Sequence, residues 1–271
     1  MATKPNFSGR PGPPLGGGAR GLAGLVRIPP PGAAARAQLS YWDARVREFP
    51  LFLGISPEQR SSILSAAQVR LISRGQTIYV EGDRVRQVIL LTYGSAKMTQ
   101  SGEDGDAVIL RLCGPGELVG TLGITMQEKY RSTSQALTPC SALVWDSEYF
   151  ESLSCQIPSL RLNVAYLLYK LLEEMEVRFR ELSTECVSIR LGRQVLRLVE
   201  QVGIPSNGAV EIQMTREELA QLIGTSLFTV SRLLSRWDRM GIVKTRREGF
   251  SVKNVGALED LVKEYGGDEL I

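Results

Sequence analysis

The hydrophobic residues of this chain change their period at Pro158. Before it, short alternating segments such as QTIYVEGD, QVILLTYGSAKMTQ and AVILRLCGPGELVG are separated by glycines, which is typical of short strands. From Pro158 to Ser183, apolar residues recur at helical spacing without a break. The first pattern predicts a small antiparallel sandwich or jelly roll, and the second predicts one long helix. The expected fold class is therefore α+β.

The long helix carries two neighbouring apolar stripes. One is a heptad seam with steps of 3, 4, 3, 4 and 3 residues, formed by Ala165, Leu168, Leu172, Met175, Phe179 and Leu182. The other consists of Leu160, Val164, Leu167 and Leu171. One stripe can pack on the β-domain while the seam meets a second subunit, which favours a homodimer. The alternative is that both stripes belong to the core of one chain.

The segment after residue 186 predicts a winged helix-turn-helix. Thr215 and Glu218 form a T-x-x-E capping box at the start of a short helix, which Gly224 ends. A second helix is expected to start around Thr225 or Ser226. After Gly241, the stretch IVKTRREGFSV indicates a small hairpin with a basic tip, the wing. Two short helices joined by a glycine turn and followed by such a hairpin are typical of a DNA-binding domain.

The second of these helices is predicted to have a buried face and a reading face. At 100° per residue, the buried face consists of Val230, Leu233, Leu234 and Trp237. Phe228, Arg232 and Ser235 lie opposite, and Leu227 lies at the border of the core, where it is expected to be mostly buried. Phe228 has three interpretations: it contacts a thymine methyl or base edge, it covers the wing, or it belongs to a protein–protein patch.

Arginine and lysine residues of this region divide into two expected roles. Arg232 is predicted to contact guanine O6 and N7, and Arg236 with the wing residues is predicted to contact phosphates. The complete set predicted to contact DNA is Thr215, Thr225, Ser226, Leu227, Phe228, Thr229, Ser231, Arg232, Ser235, Arg236, Lys244, Arg246 and Arg247.

The composition excludes several classes of site. The chain contains no histidine, which removes histidine-based zinc and haem sites and the commonest general base. The four cysteines match no metal-ligand spacing, so we expect neither a metal site nor an enzyme. No apolar run is long enough to span a membrane, and a cytoplasmic protein is expected.

The first 40 residues differ in composition from the rest. Residues 1–38 hold seven of the thirteen prolines and eight glycines, and residues 1–40 carry five basic residues and no acidic one. This composition predicts a disordered basic tail over residues 1–40, with a direct role in binding DNA or a partner as the alternative.

About residues 45–265 contain the motifs FPLFLGISPEQ, GQTIYVEGD, GPGELVG and MTREELAQLIGTSLFTVSRLL, with the long helix after Pro158 between the last two. Together these features resemble the cyclic-AMP receptor protein/fumarate-nitrate reduction regulator (Crp/Fnr) family of bacterial transcription factors. The resemblance implies a cyclic-nucleotide-binding-like β-roll (a double-stranded jelly roll) over residues 41–155. It also implies a dimerisation helix over 156–185 and a winged helix-turn-helix over 186–271. The implied partners are a palindromic DNA operator, a second copy of the chain and RNA polymerase, with no membrane.

The resemblance also implies an effector pocket. In cyclic-nucleotide binders of the family, a G-E-L motif is followed by R-S or R-T; here GELVGTLG is followed by Arg131-Ser132-Thr133. Aligning Gly120 with the glycine of the motif places Thr121 where the ribose-binding glutamate would be, and Glu117 lies earlier in the turn. The expected pocket residues are Gly116, Glu117, Leu118, Val119, Gly120, Thr121, Arg131, Ser132, Thr133 and Met175.

The identity of the effector stays open at this point. It is a cyclic nucleotide bound without the usual ribose carboxylate, or another small molecule such as an apolar or acidic metabolite. The remaining alternative is that the partial motif is a structural remnant. No iron–sulfur cluster is expected, because residues 1–112 contain no cysteine to match the cluster ligands of the Fnr branch.

The DNA-reading segment departs from the family pattern R-E-T-V-x-R, because residues 227–232 read Leu-Phe-Thr-Val-Ser-Arg. The usual operator of the family is therefore not implied. The main functional hypothesis is an effector-modulated, homodimeric transcription regulator. The alternative is a cyclic-nucleotide sensor whose C-terminal domain mainly docks on protein.

Overall fold

The computed structural model describes residues 25–27, 33–102, 107–120 and 129–265. Thr121, which was predicted to line the effector pocket, lies outside this range. Residues 1–24 and 28–32 of the predicted tail lie outside it as well. The description below concerns the described residues only.

Two antiparallel sheets form the N-terminal domain, which we call the β-roll. The strand order of the first sheet is β1-β2-β8-β4, with β1 Leu25–Arg27, β2 Gln68–Ile72, β8 Cys140–Asp146 and β4 Gln87–Tyr93. The strand order of the second is β3-β7-β5-β6, with β3 Thr77–Tyr79, β7 Thr133–Ala136, β5 Ala96–Ser101 and β6 Ala107–Cys113. Leu91 of the first sheet and Ala96 of the second lie in one hydrophobic cluster. The glycine-separated segments thus form the predicted β-domain.

Eight helices accompany the strands in the described range. They are α1 Ala33–Val46, α2 Pro57–Ser65, α3 Ser147–Gln156, α4 Pro158–Thr184, α5 Val187–Gln201, α6 Arg216–Ile223, α7 Leu227–Arg239 and α8 Val255–Tyr265. A 3-10 turn covers Pro50–Phe52. The long helix α4 begins at Pro158, the residue at which the spacing of hydrophobic residues changes in the sequence.

Part of the predicted tail has regular secondary structure, which differs from the expectation. Strand β1 pairs with β2, with Val26 opposite Val69. Helix α1 begins at Ala33 and continues past the expected boundary at residue 40. Its alanine-rich start favours a helix, and Trp42 and Val46 near its end are buried in the core of the β-roll. The C-terminal part of α1 therefore contributes to the core of the β-roll.

The C-terminal domain combines a small sheet with four helices. The strand order is β11-β12-β10-β9, with β11 Val243–Arg246, β12 Gly249–Val252, β10 Ala209–Ile212 and β9 Ile204–Ser206. Strands β11 and β12 are the predicted wing hairpin. Helices α5 to α8 bury their apolar faces together with this sheet, around Trp237.

The core of the C-terminal domain extends onto the β-roll. Ile109 and Leu112 of β6 lie in the same hydrophobic cluster as Leu219 and Ile223 of α6. Arg178 of α4 donates a hydrogen bond to the carbonyl oxygen of Leu110. The first helix of the helix-turn-helix is thus packed against the second sheet.

Candidate nucleic-acid interface and effector cavity

The helix-turn-helix begins with the predicted capping box. Thr215 Oγ1 accepts a hydrogen bond from the Glu218 backbone N–H at 3.1 Å, and Glu218 Oε2 accepts one from the Thr215 N–H at 2.9 Å. Helix α6 ends at Gly224, whose φ of 64° is left-handed, a conformation that glycine adopts without strain. This geometry produces the tight turn between α6 and α7.

Helix α7 is anchored by its apolar face. Ser226 is the N-cap and accepts a hydrogen bond from the Thr229 N–H at 3.2 Å, so the helix starts where the sequence predicted. Val230, Leu234 and Trp237 are buried, and Leu233 is partly buried against the same cluster. The predicted buried face is confirmed.

The first turn of α7 presents apolar side chains to solvent. Phe228 is 76% exposed and Leu227 is 50% exposed. The expectation that Leu227 is mostly buried was wrong, because the core contacts of α7 begin only at Val230. The interpretation in which Phe228 covers the wing does not agree with its exposure. Arg232 and Ser235 are also exposed, while Thr225, Thr229 and Ser231 are partly exposed.

The wing adds a basic surface. Lys244, Arg246 and Arg247 are exposed on the hairpin β11–β12. Lys244 Nζ lies 3.6 Å from Asp238 Oδ1, and Arg246 Nη1 lies 2.8 Å from Glu211 Oε1. Arg236 is exposed on α7.

Asp238 attaches the wing to α7. Its carboxylate accepts hydrogen bonds from the Thr245 N–H at 3.0 Å and the Thr245 hydroxyl at 2.8 Å. These hydrogen bonds, with the nearby Lys244 ammonium, lower the pKa of Asp238. The carboxylate thus stays charged at neutral pH and keeps the base of the wing beside the helix.

A cavity of about 330 Å³ lies between the second sheet of the β-roll and α4. Six of the expected pocket residues line it: Glu117, Leu118, Gly120, Arg131, Ser132 and Met175. Glu174, which the resemblance offers beside Met175 as the long-helix residue near an adenine base, lines it too. The sequence reasoning missed Met98, Leu110, Arg111, Leu167, Leu168, Lys170 and Leu171. The sequence could have indicated Arg111 as a pocket residue, because it is the one charged residue in the otherwise apolar strand AVILRLC.

Three expected pocket residues do not line this cavity. Val119 is buried in the core between the sheets. Gly116 lies against the Phe49 ring, where an added Cβ would be 3.1 Å from Phe49 Cδ1. Thr133 Oγ1 accepts a hydrogen bond from the Glu81 N–H at 3.1 Å, on another side of its strand. Sequence neighbours of pocket residues point elsewhere because successive side chains of extended backbone alternate in direction.

The carboxylate of Glu117 is already engaged. It accepts a hydrogen bond from the Gly114 N–H at 2.6 Å and lies 3.4 Å from Arg111 Nη2. Burial raises the pKa of Glu117, and Arg111 opposes this effect. Arg111 Nε is buried and has no hydrogen-bond partner within the described residues. Arg111 thus lines the cavity with its guanidinium beside Glu117, and its Nε is enclosed by protein atoms.

Two stacked tyrosines support the cavity beneath Gly120. The rings of Tyr79 and Tyr130 have centroids 3.8 Å apart and are nearly parallel. A Cβ on Gly120 would lie 2.9 Å from Tyr79 Cε1 and 3.0 Å from Tyr130 Cε1. Burial raises the pKa of Tyr130 to about 12, so the pair is neutral at physiological pH.

The two stripes of α4 face different surroundings. Leu160 and Val164 are buried in the β-roll, whereas the large seam residues Leu168, Leu172, Met175, Phe179 and Leu182 are all exposed on the single chain. Ala165 is exposed as well. Met175 belongs both to the seam and to the lining of the cavity. The heptad seam is therefore not part of the intrachain core.

Two further properties concern the described residues only. They include no cluster of three or more cysteine, aspartate and glutamate side chains that is placed to hold a metal ion. None of their helices is both long and apolar enough to cross a lipid bilayer.

The chain matches two known domain families and several known proteins. The cyclic nucleotide-binding domain matches residues 69–155, and the Crp-like helix-turn-helix domain matches residues 189–261. The chain is 30% identical over 212 residues to the "Cyclic AMP receptor protein" of Thermus thermophilus, covering 78% of this chain and 96% of that protein. It is 26% identical over 204 residues to the "CRP-like cAMP-activated global transcriptional regulator" of Mycobacterium tuberculosis, covering 74% and 90%.

Solved structures share the fold. FixK2 from Bradyrhizobium japonicum superposes with a TM-score of 0.63 at 19% identity, covering 72% of this chain and 96% of that chain. A transcriptional regulator of the CRP/FNR family from Thermus thermophilus superposes with a TM-score of 0.62 at 22% identity, covering 73% and 100%.

Proposed function

Because the chain belongs to the Crp/Fnr family of transcription regulators, we propose that it is a homodimeric regulator that binds a palindromic DNA operator under the control of a small effector. The observation that carries this proposal is the exposed first turn of α7, with Arg232 one turn further on and a basic wing beside the same helix. A helix of this kind enters the major groove with its N-terminal residues against the base edges.

The polar residues of the interface have distinct proposed roles. Arg232 contacts guanine O6 and N7 through its bidentate guanidinium. Arg236, Lys244, Arg246 and Arg247 contact phosphates, which gives affinity and register. The ion pairs of Lys244 and Arg246 are on the surface, so phosphates can replace their carboxylate partners at little cost. Thr215, at the start of α6, contacts a phosphate at a helix N-terminus.

The exposed seam of α4 supports dimerisation. Five large apolar side chains lie along one stripe of a 27-residue helix, and a second copy of the same helix would cover them as in a coiled coil. A twofold dimer presents its two α7 helices to half-sites about one helical turn, or roughly 34 Å, apart. A palindromic operator follows from this symmetry.

The cavity supports an anionic effector with an apolar body. Arg111 and Arg131 supply positive charge, Ser132 supplies a hydroxyl, and Leu167, Leu171 and Met98 supply apolar surface. Glu117 accepts a hydrogen bond from Gly114 and faces Arg111, so a ribose hydroxyl would have to share its carboxylate with these two groups. Cyclic AMP is nevertheless the first ligand to test, because it stands in the names of the two relatives.

Effector binding can be transmitted through Met175. This residue lines the cavity and lies on the heptad seam, so a ligand that moves it also changes the packing of the helix pair. A ligand that prefers one arrangement of the helices shifts the population towards that arrangement. We further propose that the protein acts in the cytoplasm, with RNA polymerase as its protein partner.

Footprinting of duplex fragments from around its own gene tests the function. We expect protection of a palindromic sequence that weakens as salt is raised, because phosphate contacts release counterions. The double variant Arg232→Ala, Arg236→Ala should lose the protection. The variant Arg161→Ala, which changes an exposed arginine of α4 away from the interface, should retain it. Specific protection that survives in the double variant would show that DNA is bound through a surface other than this face of α7. Absence of any specific protection by the parent chain would favour docking on a protein instead.

A further inference from the structure

Two large apolar side chains in the first turn of α7 are exposed to solvent, whereas large apolar side chains further along the helix are buried. Leu227 and Phe228 are exposed, whereas Val230, Leu234 and Trp237 of the same helix are buried. Neither Leu227 nor Phe228 belongs to a hydrophobic cluster of the described residues. The core of the described residues therefore does not require these two side chains to be apolar.

Basic side chains lie on the same helix as this apolar pair and on the wing, which adjoins the C-terminal end of α7 through Asp238. Arg232 follows Phe228 by one helical turn, and Lys244, Arg246 and Arg247 project from the wing next to α7. A partner with an apolar surface alone would gain nothing from these cations, whereas a DNA duplex presents phosphates on both sides of its major groove. The charge of the surface thus selects duplex DNA as the occupant.

The major groove offers one apolar group to such side chains, the C5-methyl of thymine. Leucine and phenylalanine side chains have no hydrogen-bond donor or acceptor, so they cannot read guanine, cytosine or adenine edges. Resting on the proposed DNA-binding function, we propose that Leu227 and Phe228 select thymines at two positions of each half-site through their methyl groups. Because the two side chains point about 100° apart on the helix, each contacts a different base pair.

The expected size of this effect follows from the burial of one methyl group. Removing one buried methyl should weaken binding about fourfold. Removing it at the equivalent position of both half-sites should weaken binding about 15-fold, because the two contacts are independent. These changes are large enough for a titration to resolve.

The test uses the full chain and a chemical change in the DNA. An operator is first selected from random duplexes, in parallel without ligand and with cyclic AMP. Each thymidine of the selected half-site is then replaced by deoxyuridine, which removes the methyl and leaves the hydrogen-bonding groups unchanged. We expect two positions per half-site at which deoxyuridine weakens binding, and no effect at the other thymidines.

Two variants assign the positions to the side chains. Phe228→Ala should bind thymidine and deoxyuridine duplexes equally at one position, and Leu227→Ala should do so at the other. Both side chains are exposed, so both variants should keep the melting temperature of the parent chain. Met240→Ala serves as the matched control, because Met240 is also exposed but lies at the opposite end of α7.

The outcomes separate this inference from the proposed function. Sequence-specific binding with equal affinity for thymidine and deoxyuridine at every position overturns the methyl contact and leaves the DNA-binding function intact. Discrimination that persists in both alanine variants overturns it too. A chain that selects no sequence, with or without cyclic AMP, contradicts the proposed function itself.

Discussion

Lys97 Nζ lies 2.7 Å from Glu218 Oε1, and this contact joins β5 of the β-roll to the first turn of α6. The two side chains are only 16% and 19% exposed. Glu218 also closes the capping box with Thr215, so the same carboxylate starts α6 and attaches it to the β-roll. This carboxylate thus adds an ion pair to the apolar contact between α6 and the β-roll.

Acid should weaken this contact. Burial raises the pKa of Glu218, but the hydrogen bonds from Lys97 and Thr215 outweigh it, and the net pKa is lowered from 4.5. The contribution to stability is therefore complete above about pH 4.5 and is lost as the pH falls through the folded-state pKa. We expect the melting temperature of the parent chain to drop more steeply below pH 4.5 than that of Glu218→Gln.

At pH 7 the same variant should be less stable. Glutamine keeps the capping box, because it accepts the same backbone hydrogen bond, but it removes the charge that Lys97 faces. The expected loss is about 1–2 kcal/mol in the free energy of unfolding, measured by chemical denaturation. The role assigned to this carboxylate would be contradicted if the parent and Glu218→Gln were equally stable at pH 7 and their melting temperatures fell equally with pH below 4.5.

A second interdomain ion pair should contribute little. Arg74 Nη1 lies 3.6 Å from Glu248 Oε2 at the wing, but both side chains are largely exposed. Exposed ion pairs are screened by solvent and typically add less than about 1 kcal/mol. We expect Arg74→Ala to leave the melting temperature unchanged and Lys97→Met to lower it. A larger effect from Arg74→Ala than from Lys97→Met would show that the wing, and not α6, carries the domain contact.

The sequence predicted the features that depend on local patterns. The capping box at Thr215, the buried face of α7 around Val230 and Trp237, and the two separate stripes of α4 all follow from spacing within one element. Such patterns are sufficient because one helix turn or one face decides them.

Features that depend on packing between distant segments were not predictable in this way. Lys97 and Glu218 are 121 residues apart, and nothing in either segment indicates the other. Arg111 reaches the cavity because β6 packs beside α4, which only the tertiary structure shows. The helical wheel alone placed Leu227 at the border between the buried and exposed faces of α7. Its actual exposure depends on how far the first turn of α7 lies from the core, which the wheel does not show.

Gly120 should not tolerate a side chain. Its φ of 96° is left-handed, and a Cβ would approach Tyr79 Cε1 and Tyr130 Cε1 to 3.0 Å or less. Gly75 provides a matched control, because its φ of 77° is also left-handed but no atom lies within 4 Å of an added Cβ. Gly75→Ala should lose about 1 kcal/mol from backbone strain alone, and Gly120→Ala clearly more, measured by chemical denaturation. Equal losses of stability in the two variants would show that the Tyr79 and Tyr130 rings move away from the added methyl group without a measurable cost in free energy.

The heptad seam should determine the oligomeric state. Phe179 and Leu172 are exposed on the single chain and lie on the seam, so Leu172→Glu, Phe179→Glu would place four like charges in a dimer interface. We expect light scattering to give the mass of a dimer for the parent chain and of a monomer for the double variant. Leu162→Glu is the control, because Leu162 is exposed on α4 but lies off the seam, and it should remain dimeric. A double variant that stays dimeric would place the interface elsewhere on the chain, and the spacing of the two α7 helices would then have to be set by that other surface.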